Sequence, residues 1–306
     1  MKTHRLLQVG LLAGTASLGY ALLEAQWYAL RHVTVPLLPD GAEPIRVLHI
    51  SDMHLTAKQR RKTEWVKALA SLEPDLVVTT GDNYAFADAM ETALEALEPL
   101  FRFPGAFVLG SNDYYSAVLK NPTAYLFGAS RDHTRRQADL PTQAFRQVLT
   151  GAGWKDLDNA RATLELGPAK LITDLVGLAD PHMDWDKMPA PASHANAGLV
   201  LGLVHAPYLA AVDQLVADSA RLILAGHTHG GQVALPFYGA LVSNSDLPPR
   251  LAAGLHPWPD SKAYIHVSAG LGTSPYAPIR FARRPESTLI TLVSPQDFRE
   301  GRRPGV

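Results

Sequence analysis

The sequence predicts an α/β fold, because short apolar runs alternate with segments of helical periodicity and most of the runs end in polar residues. The apolar runs have the length of buried strands and lie at residues 45–50, 75–80, 106–109, 199–204, 222–225 and 263–267. The helical segments lie between them, at residues 63–72, 89–100, 141–149 and 207–216. Buried strands that end in polar residues are how such folds build a site along one sheet edge.

Each helix is predicted from the spacing of its apolar residues. Apolar residues recur at 65, 66, 69 and 72 and again at 90, 94, 97 and 100, which puts each set on one helix face. Pro207 fits the first position of its helix, where its missing N–H costs nothing. Residues 162–173 have the pattern of a β-hairpin, and residues 287–293 have that of a last strand.

The first 30 residues predict a signal anchor or a membrane-associated helix. Lys2, His4 and Arg5 precede a largely apolar run at 6–23, and no acidic residue occurs before Glu24. The run is about long enough to cross a bilayer, which needs roughly 17–25 residues. We therefore expect a membrane-anchored or exported protein. The alternatives are a helix packed on the domain and a cytoplasmic location.

After this leader the chain is expected to form one domain. Residues 31–44, with three prolines and a glycine, are assigned to a linker, residues 45–296 to the domain and residues 297–306 to a frayed tail. Residues 114–140 break the alternation of strand and helix. An irregular insertion after a strand end is often a lid or substrate loop, and a solvated surface excursion is the alternative.

The composition excludes some partners and some ligands. The chain has 306 residues, of which 47% are hydrophobic, and this is ample for a sizeable core. Its formal net charge of −1 leaves no basic excess to neutralise phosphates, so we expect no nucleic-acid partner. The chain has no cysteine, so disulfides and thiolate ligands are excluded, and any metal must bind to nitrogen and oxygen atoms.

Two histidines follow the 222–225 run and indicate a metal site, since His227 and His229 point the same way on an extended backbone. Other strand ends add ligands of the types that metals bind: Asp52, His54, Asp82, Asn112 or Asp113, and His205. These are too many for one four-coordinate ion, so we expect two divalent ions about 3.5–4 Å apart with a bridging carboxylate. Nitrogen and oxygen ligands suit Mn, Fe or Zn. Such a pair of ions binds two oxygens of a phosphate and turns water into a nucleophile.

Five motifs give the chain a resemblance to the calcineurin-like metallophosphoesterase superfamily. They are SDMHL at 51–55, TTGDN at 79–83, LGSND at 109–113, LVHAP at 203–207 and AGHTHGGQ at 225–232. Each motif alone is weak, but the set in this order and spacing is highly specific. The GHTHGGQ motif resembles the branch of membrane-linked or exported bacterial phosphodiesterases, which is related to nucleoside-diphosphate lipid hydrolases. The resemblance implies two facing mixed β-sheets flanked by helices, a four-layer sandwich with metals at the strand ends.

The resemblance also implies a role for each matching residue. The implied metal ligands are, for the first ion, Asp52, His54 and His229, and, for the second ion, His205 and His227. Asp82 would bridge the two ions, and the third motif would supply one further ligand to the second. The implied reaction is hydrolysis of a phosphodiester or pyrophosphate by a hydroxide that bridges the metals. The leader fits a lipid- or envelope-linked phosphoester substrate.

The third motif departs from the family pattern, which is usually Gly-Asn-His followed by Asp or Glu. Aligned without a gap, Ser111 stands where the family has its metal-binding Asn, and Asn112 stands where it has the His that protonates the leaving group. A shift of one residue lets the Asn112 amide oxygen, a better ligand than a hydroxyl, reach the second ion. On either alignment the usual general acid is missing, which matters less for an acidic leaving group. His133 and His182 are alternative proton donors.

Other polar residues are predicted to support the site or the core. Asn83 and Asp113 are expected to hold ligands in orientation, or else to be turn residues. Arg280 is expected to clamp a phosphate through two hydrogen bonds, or else to pair with a surface carboxylate. His49 and His266 lie within strands and are interpreted as hydrogen-bonded core histidines.

The sequence thus predicts a binuclear metal-dependent phosphoesterase in which Asp82 and Asn112 take part in catalysis. The alternative from a different class is a metal-binding regulatory module that has lost turnover. Retention of the other ligands favours the enzyme, because a site without turnover has no need of both metals. A phosphoprotein phosphatase is a third hypothesis, which differs only in substrate.

Overall fold

Two six-stranded β-sheets face each other in the computed structural model, which describes residues 2–119 and 137–301. With strands numbered in chain order, the first sheet contains β1 (Ala29–Pro36), β2 (Ile45–Ile50), β3 (Leu76–Thr79), β4 (Gly105–Phe107), β5 (Lys155–Asp156) and β14 (Glu286–Val293). The second sheet contains β6 (Ala160–Leu166), β7 (Leu171–Leu178), β8 (Leu199–Val204), β9 (Leu222–Ala225), β12 (Gly254–Pro257) and β13 (Tyr264–Val267). A separate hairpin consists of β10 (Ala234–Leu235) and β11 (Gly239–Ala240).

Helices cover the outer faces of both sheets. Within the described residues the α-helices are α1 (Lys2–Glu24), α2 (Arg60–Ala68), α3 (Met90–Leu97), α4 (Thr142–Gly151), α5 (Leu209–Ala217) and α6 (Pro295–Arg299). On the first sheet, Leu97 of α3 and Phe145 of α4 share an apolar cluster with Leu48 of β2. On the second sheet, Leu215 of α5 packs with Ile223 of β9. The layers run helix, sheet, sheet, helix, so the predicted four-layer α/β sandwich is confirmed.

The main core lies between the sheets. Val47 and Val78 of the first sheet share an apolar cluster with Leu201 and Leu224 of the second. Every residue of β3, β8 and β9 is buried, because the second face of each strand packs under a helix. Burial on both faces explains why these strands appear in the sequence as continuous apolar runs rather than as alternating patterns.

Parallel pairing brings the ends of the central strands together. The strand order is β1-β14-β2-β3-β4-β5 in the first sheet and β12-β13-β9-β8-β7-β6 in the second. Strands β2, β3 and β4 run parallel, as do β7, β8, β9 and β13. The carboxyl ends of the parallel strands in each sheet therefore meet at one edge, which is where the motif residues follow.

The predicted linker is wrong over its first six residues. Residues 31–36 belong to β1, which pairs in parallel with β14 along its whole length, from Ala29 opposite Glu286 to Pro36 opposite Val293. Strand β1 lies at the edge of its sheet and is only partly buried, so it lacks the apolar run that identified the central strands. The predicted tail also begins inside a helix, since α6 continues to Arg299.

The N-terminal helix contacts the domain at its C-terminal end. Ala21, Glu24 and Ala25 are buried, whereas the side chains of residues 14–20 are exposed. Among the helices of the described residues, none is both long enough and apolar enough to span a bilayer. The membrane association predicted for the first 30 residues stays a prediction. The predicted lid at 114–140 is not tested, because residues 120–136, which include His133, lie outside the described part of the chain.

Candidate metal centre

Two clusters of carboxylate and imidazole groups lie at the carboxyl ends of the central strands. One cluster contains Asp52, His54 and His229, and the other contains Asp52, Asp82 and His205. Within each cluster, one potential ligand atom per residue lies within 4.8 Å of the others. Asp52 is common to both clusters, so the five side chains form one continuous group.

The backbone at these residues is in a conformation that L-amino acids rarely adopt. The φ angles are 49° at Asp52, 41° at His54, 56° at Asp82, 68° at His227 and 50° at His229. Positive φ at a residue other than glycine costs about 1–3 kcal/mol and persists only where the surroundings enforce it. Five such residues in one site indicate that the fold maintains backbone strain here, and this strained backbone orients the five side chains.

Hydrogen bonds between the loops enforce this conformation. The Asp52 N–H donates to the Gly81 carbonyl at 2.9 Å, and the His54 N–H donates to the Asp82 carbonyl at 2.9 Å. The His227 N–H donates to the Asp52 carboxylate at 3.0 Å, which joins the two sheets. Gly110 is required by close approach, since a Cβ there would lie 2.3 Å from Asp82 Oδ1.

Asp82 belongs to the second cluster and also faces His54 of the first. Its Oδ2 is 3.3 Å from His54 Nε2, and its Oδ1 is 3.5 Å from His205 Nε2. Burial alone would raise the pKa of Asp82, but the facing imidazoles of His205 and His54 hold it well below its usual range. Burial likewise opposes charge on His205, but Asp82, Asp180 and Asp52 raise the pKa of His205 to about 10. The carboxylates that favour positive charge on His205 would equally favour a bound cation.

Hydrogen bonds fix which nitrogen of each histidine faces the site. His205 Nδ1 donates to the Thr80 carbonyl at 2.5 Å, so its Nε2 is directed at Asp82. His227 Nε2 lies 3.1 Å from the Asn244 carbonyl, so its Nδ1 is directed inward, 3.3 Å from His205 Nε2. Backbone carbonyls commonly fix metal-binding histidines in this way.

The residues fit divalent metal ions. Both ring nitrogens of His54 are buried and, among the described residues, neither has a hydrogen-bond partner. Buried polar atoms nearly always have partners, so this imidazole needs a ligand from outside the chain. His229 Nε2 lies 3.7 Å from Asp52 Oδ1, and the donors are carboxylate oxygens and imidazole nitrogens. This donor set suits Mn, Fe or Zn.

In the third motif, the side chain of Asn112 rather than that of Ser111 contacts the Asp82 carboxylate. The backbone N–H of Asn112 donates to Asp82 Oδ1 and its side-chain Nδ2 donates to Asp82 Oδ2, each at 2.8 Å. Ser111 is buried, and its N–H donates to Asp180 at 3.0 Å. The nitrogen and oxygen of an amide side chain are interchangeable by rotation, so Asn112 is also placed to offer its oxygen to a cation. Its role as a ligand stays a prediction.

Asp113 holds the loop that carries Asp82. Its buried carboxylate accepts backbone N–H bonds from Asp82 at 2.7 Å, Asn83 at 2.8 Å and Gly110 at 3.0 Å, and a side-chain bond from Asn83 at 3.1 Å. Burial, and then the charge of Asp82, raise the pKa of Asp113 to about 6. The carboxylate therefore joins the loops that follow β3 and β4, and it supports Asp82 rather than His54.

The phosphate clamp predicted for Arg280 does not fit its position. The side chain is fully buried, and its guanidinium donates to the carbonyls of Ala269 at 2.7 Å, Gly270 at 3.1 Å and Gly272 at 2.6 Å. It also donates to the His229 carbonyl at 3.4 Å. Arg280 thus braces the loop after β13 beneath the site. The predicted surface ion pair is also wrong, because the side chain is not at the surface.

A chain of hydrogen bonds leads from Asp52 into the core. Ser51 Oγ donates to Asp52 Oδ2 at 2.5 Å, and Thr80 Oγ1 donates to Ser51 Oγ at 2.7 Å. His49 Nε2 lies 2.9 Å from Thr80 Oγ1, and His49 Nδ1 lies 2.9 Å from His266 Nδ1. An ionised carboxylate only accepts, so each donor in this chain points towards Asp52. The two histidines are hydrogen-bonded core residues, as expected.

Asp180 belongs to the site, although the sequence motifs do not predict it. Asp180 is buried and accepts N–H bonds from Ser111 and from His182. Burial raises the pKa of Asp180 to about 7, against the opposing effect of His205. The imidazole of His182 lies 4.6 Å from that of His227, and its Nδ1 is 3.1 Å from the Tyr208 hydroxyl. Strand β7 extends to Leu178, beyond the predicted hairpin, so Asp180 follows a strand end that the sequence analysis did not recognise.

Comparison with known proteins agrees with this geometry. A family model for calcineurin-like phosphoesterases matches residues 45–231. The metallophosphoesterase YkuE of Bacillus subtilis is 28% identical, covering 94% of this chain and 94% of its own length. The phosphodiesterase YaeI of Escherichia coli is 27% identical, with 92% and 95% covered. The UDP-2,3-diacylglucosamine pyrophosphatase LpxG of Chlamydia trachomatis is 27% identical, with 80% and 83% covered.

Similarity to solved structures is lower. The purple acid phosphatase PPD1 from yellow lupin seeds superposes with a TM-score of 0.39 at 13% identity, covering 62% of this chain and 39% of that one. A superposition at this level supports no inference about the site.

Proposed function

This chain belongs to the calcineurin-like phosphoesterase family, and from that premise we propose that it is a binuclear metal-dependent hydrolase of phosphodiesters or pyrophosphates. The observation that carries the proposal is the pair of clusters that share Asp52, in which buried His54 makes no side-chain hydrogen bond within the described residues and its Nε2 faces Asp82 Oδ2 at 3.3 Å. When bound, two divalent ions supply Lewis acidity towards the phosphate and lower the pKa of water to near neutrality.

The residues of this chain hold the ions and orient the reacting groups. We assign Asp52, His54 and His229 to one ion and His205 and His227 to the other, as the resemblance to the family implies. Asp82 faces both sets with separate oxygens, which suits a bridging carboxylate. Asp113 keeps that carboxylate in position through the backbone of the Asp82 loop.

The chemistry of the third motif favours substrates with acidic leaving groups. On either alignment of this motif the proton-donating histidine of the family is missing, and Asn112 beside Asp82 is an amide, which cannot act as an acid. General acid catalysis is typically worth about 10²–10⁴-fold, and its loss costs least when the leaving group is stable as an anion. A nucleoside diphosphate linked to a lipid offers such a phosphoanhydride. The name of the relative LpxG supports this substrate class.

The test is hydrolysis by the purified full chain, loaded in turn with Mn, Fe or Zn, of aryl and alkyl phosphodiesters and of a nucleoside-diphosphate ester. We expect turnover of the aryl ester and of the diphosphate, with slow turnover of the alkyl ester. Asp82→Asn should lower kcat/KM about 10³-fold, because the carboxylate that holds both ions is lost. Asp75→Asn is the matched control. Asp75 precedes β3, at the end of the strand away from Asp82, and accepts a hydrogen bond from the Arg46 N–H at 2.7 Å.

Two results would count against the proposal. Equal activity of wild type and Asp82→Asn would contradict a two-metal mechanism in which Asp82 holds both ions. Two ions per chain without turnover of any substrate would instead favour the metal-binding regulatory module.

A further inference from the structure

The hairpin that follows the metal-binding histidines carries an apolar tip in water. Between β10 and β11, Phe237 is fully exposed and Tyr238 is 77% exposed, and Leu235 is 46% exposed. Large aromatic side chains are normally at least partly buried, and a cluster of exposed ones marks an interaction surface. The hairpin tip therefore has the character of a binding surface.

The base of the hairpin is fixed, so the tip is held at a defined place. Ala234 and Ala240 are buried and lie opposite each other in the hairpin. The Ala234 N–H donates to the Phe281 carbonyl at 2.8 Å, and the Phe281 N–H donates to the Gln232 carbonyl at 3.2 Å. A Cβ at Gly231 would lie 2.5 Å from the Ala240 Cβ, so the hairpin packs directly on the metal-binding loop.

Phe281 also joins the hairpin to the N-terminal helix. Its ring contacts that of Tyr20 edge to face, with the ring centres 5.5 Å apart. The next residue along, Ala282, donates its N–H to Glu24 at 2.8 Å. Beside this junction α1 and the residues after it expose Leu23 and Trp27, at 73% and 55%. The exposed apolar residues of the hairpin and of α1 are thus connected through one strip of chain.

The charge around this apolar surface is positive, although the whole chain has a net charge of −1. Segments 14–23, 233–250 and 273–284 contain one acidic residue, Asp246. Besides buried Arg280 they contain three basic residues, Arg250, Arg283 and Arg284. Apolar and aromatic residues flanked by basic ones are the combination that binds the interface of an anionic bilayer.

We propose that the β10–β11 hairpin and the exposed end of α1 form a docking surface for an anionic lipid bilayer, beside the metal centre. Strand β10 begins five residues after His229, and the loop after β11 returns to the site, where the Asn244 carbonyl lies 3.1 Å from His227 Nε2. Docking would put the mouth of the site at the lipid headgroups. This role rests on the proposed function only for its substrate, a headgroup-linked phosphoester.

The test is flotation of the full chain with vesicles of phosphatidylcholine alone or with about 30% phosphatidylglycerol, whose negative surface attracts basic residues. We expect binding to the anionic vesicles, weakened by salt, and a loss of at least about tenfold in the double variant Phe237→Ser, Tyr238→Ser. The control is Phe298→Ser. Phe298 is 49% exposed on α6, which follows the C-terminal end of β14, whereas the hairpin packs against residues that precede β14. Thermal unfolding and metal content report whether each variant folds.

Three outcomes would overturn the docking surface. They are absence of wild-type binding to anionic vesicles, equal binding by wild type and the hairpin variant, and sedimentation showing that the hairpin instead joins two copies of the chain. Flotation needs no turnover, so a failure of the proposed enzymatic activity would leave this result intact.

Discussion

A pair of buried histidines between the two sheets can be compared with a pair in the candidate metal centre. His49 Nδ1 and His266 Nδ1 are 2.9 Å apart between the two sheets. His205 Nε2 and His227 Nδ1 are 3.3 Å apart at the strand ends. In each pair the two histidines come from different strands or strand ends, and all four side chains are buried. Contact between imidazoles therefore does not distinguish them.

The difference lies in the carboxylates. Burial lowers the pKa of His49 well below its ordinary value and that of His266 to about 4, so both stay neutral. In the second pair, Asp82, Asp180 and Asp52 raise the pKa of His205 to about 10. A cation is excluded from the first pair and attracted to the second. Carboxylates at strand ends, rather than histidine pairs, are what identify this site.

The largest expected effect comes from removing one imidazole from each pair. His227→Gln should lower the affinity for Mn or Zn by about 100-fold or more, because even a hydrogen-bond partner of a ligand contributes roughly 10–100-fold. His266→Gln should leave the metal content unchanged and instead lower the melting temperature. Calorimetric titration and metal analysis measure both. Equal loss of metal by the two variants would mean that the pairs are not separate.

A smaller effect is expected where hydroxyl groups connect the first pair to Asp52 of the metal centre. Thr80→Val removes the hydroxyl that links His49 to Ser51, and we expect metal affinity to fall by up to about tenfold. Thr80→Ser should restore it. Thr79→Val is the control, since the buried Thr79 hydroxyl has no partner within the described residues. An equal fall in Thr79→Val would show that the change reflects packing of β3 alone.

The smallest effect concerns the pH dependence of stability. The folded pKa of His266 is about 4, against an ordinary value of 6.5, so the unfolded chain binds more protons between these values. Its contribution is fully present above pH 6.5 and is lost as pH falls towards 4. We expect His266→Gln to reduce the slope of unfolding free energy in this window by at most about 1 kcal/mol per pH unit. Denaturant titrations of metal-free protein measure it, and an unchanged slope would contradict the assignment.

The sequence was sufficient for the fold and for the gathering of the motif residues. Asp52, Asp82, His205 and His227 each follow a buried strand, and parallel pairing brings the ends of neighbouring strands together whatever the details of the loops. Positive φ at these residues has no such signal, since it is imposed by hydrogen bonds between loops.

Other features depend on contacts far apart in the sequence and were not predicted. Arg280 looked like a phosphate ligand because an arginine after a glycine-rich turn does not reveal its burial. Asp180 was missed because β7 continues past the hairpin pattern. Strand β1 was taken for a linker because its partner, β14, lies at the other end of the domain.

The pairing of β1 with β14 also has a consequence for biosynthesis. Ala29 lies opposite Glu286, so the N-terminal strand acquires its neighbour only when the last strand has left the ribosome. At about 5–20 residues per second, a nascent β1 waits on the order of ten to fifty seconds. Contacts of such high sequence separation also form late in folding. Synthesis of β14 is therefore the event that attaches α1 and β1 to the domain.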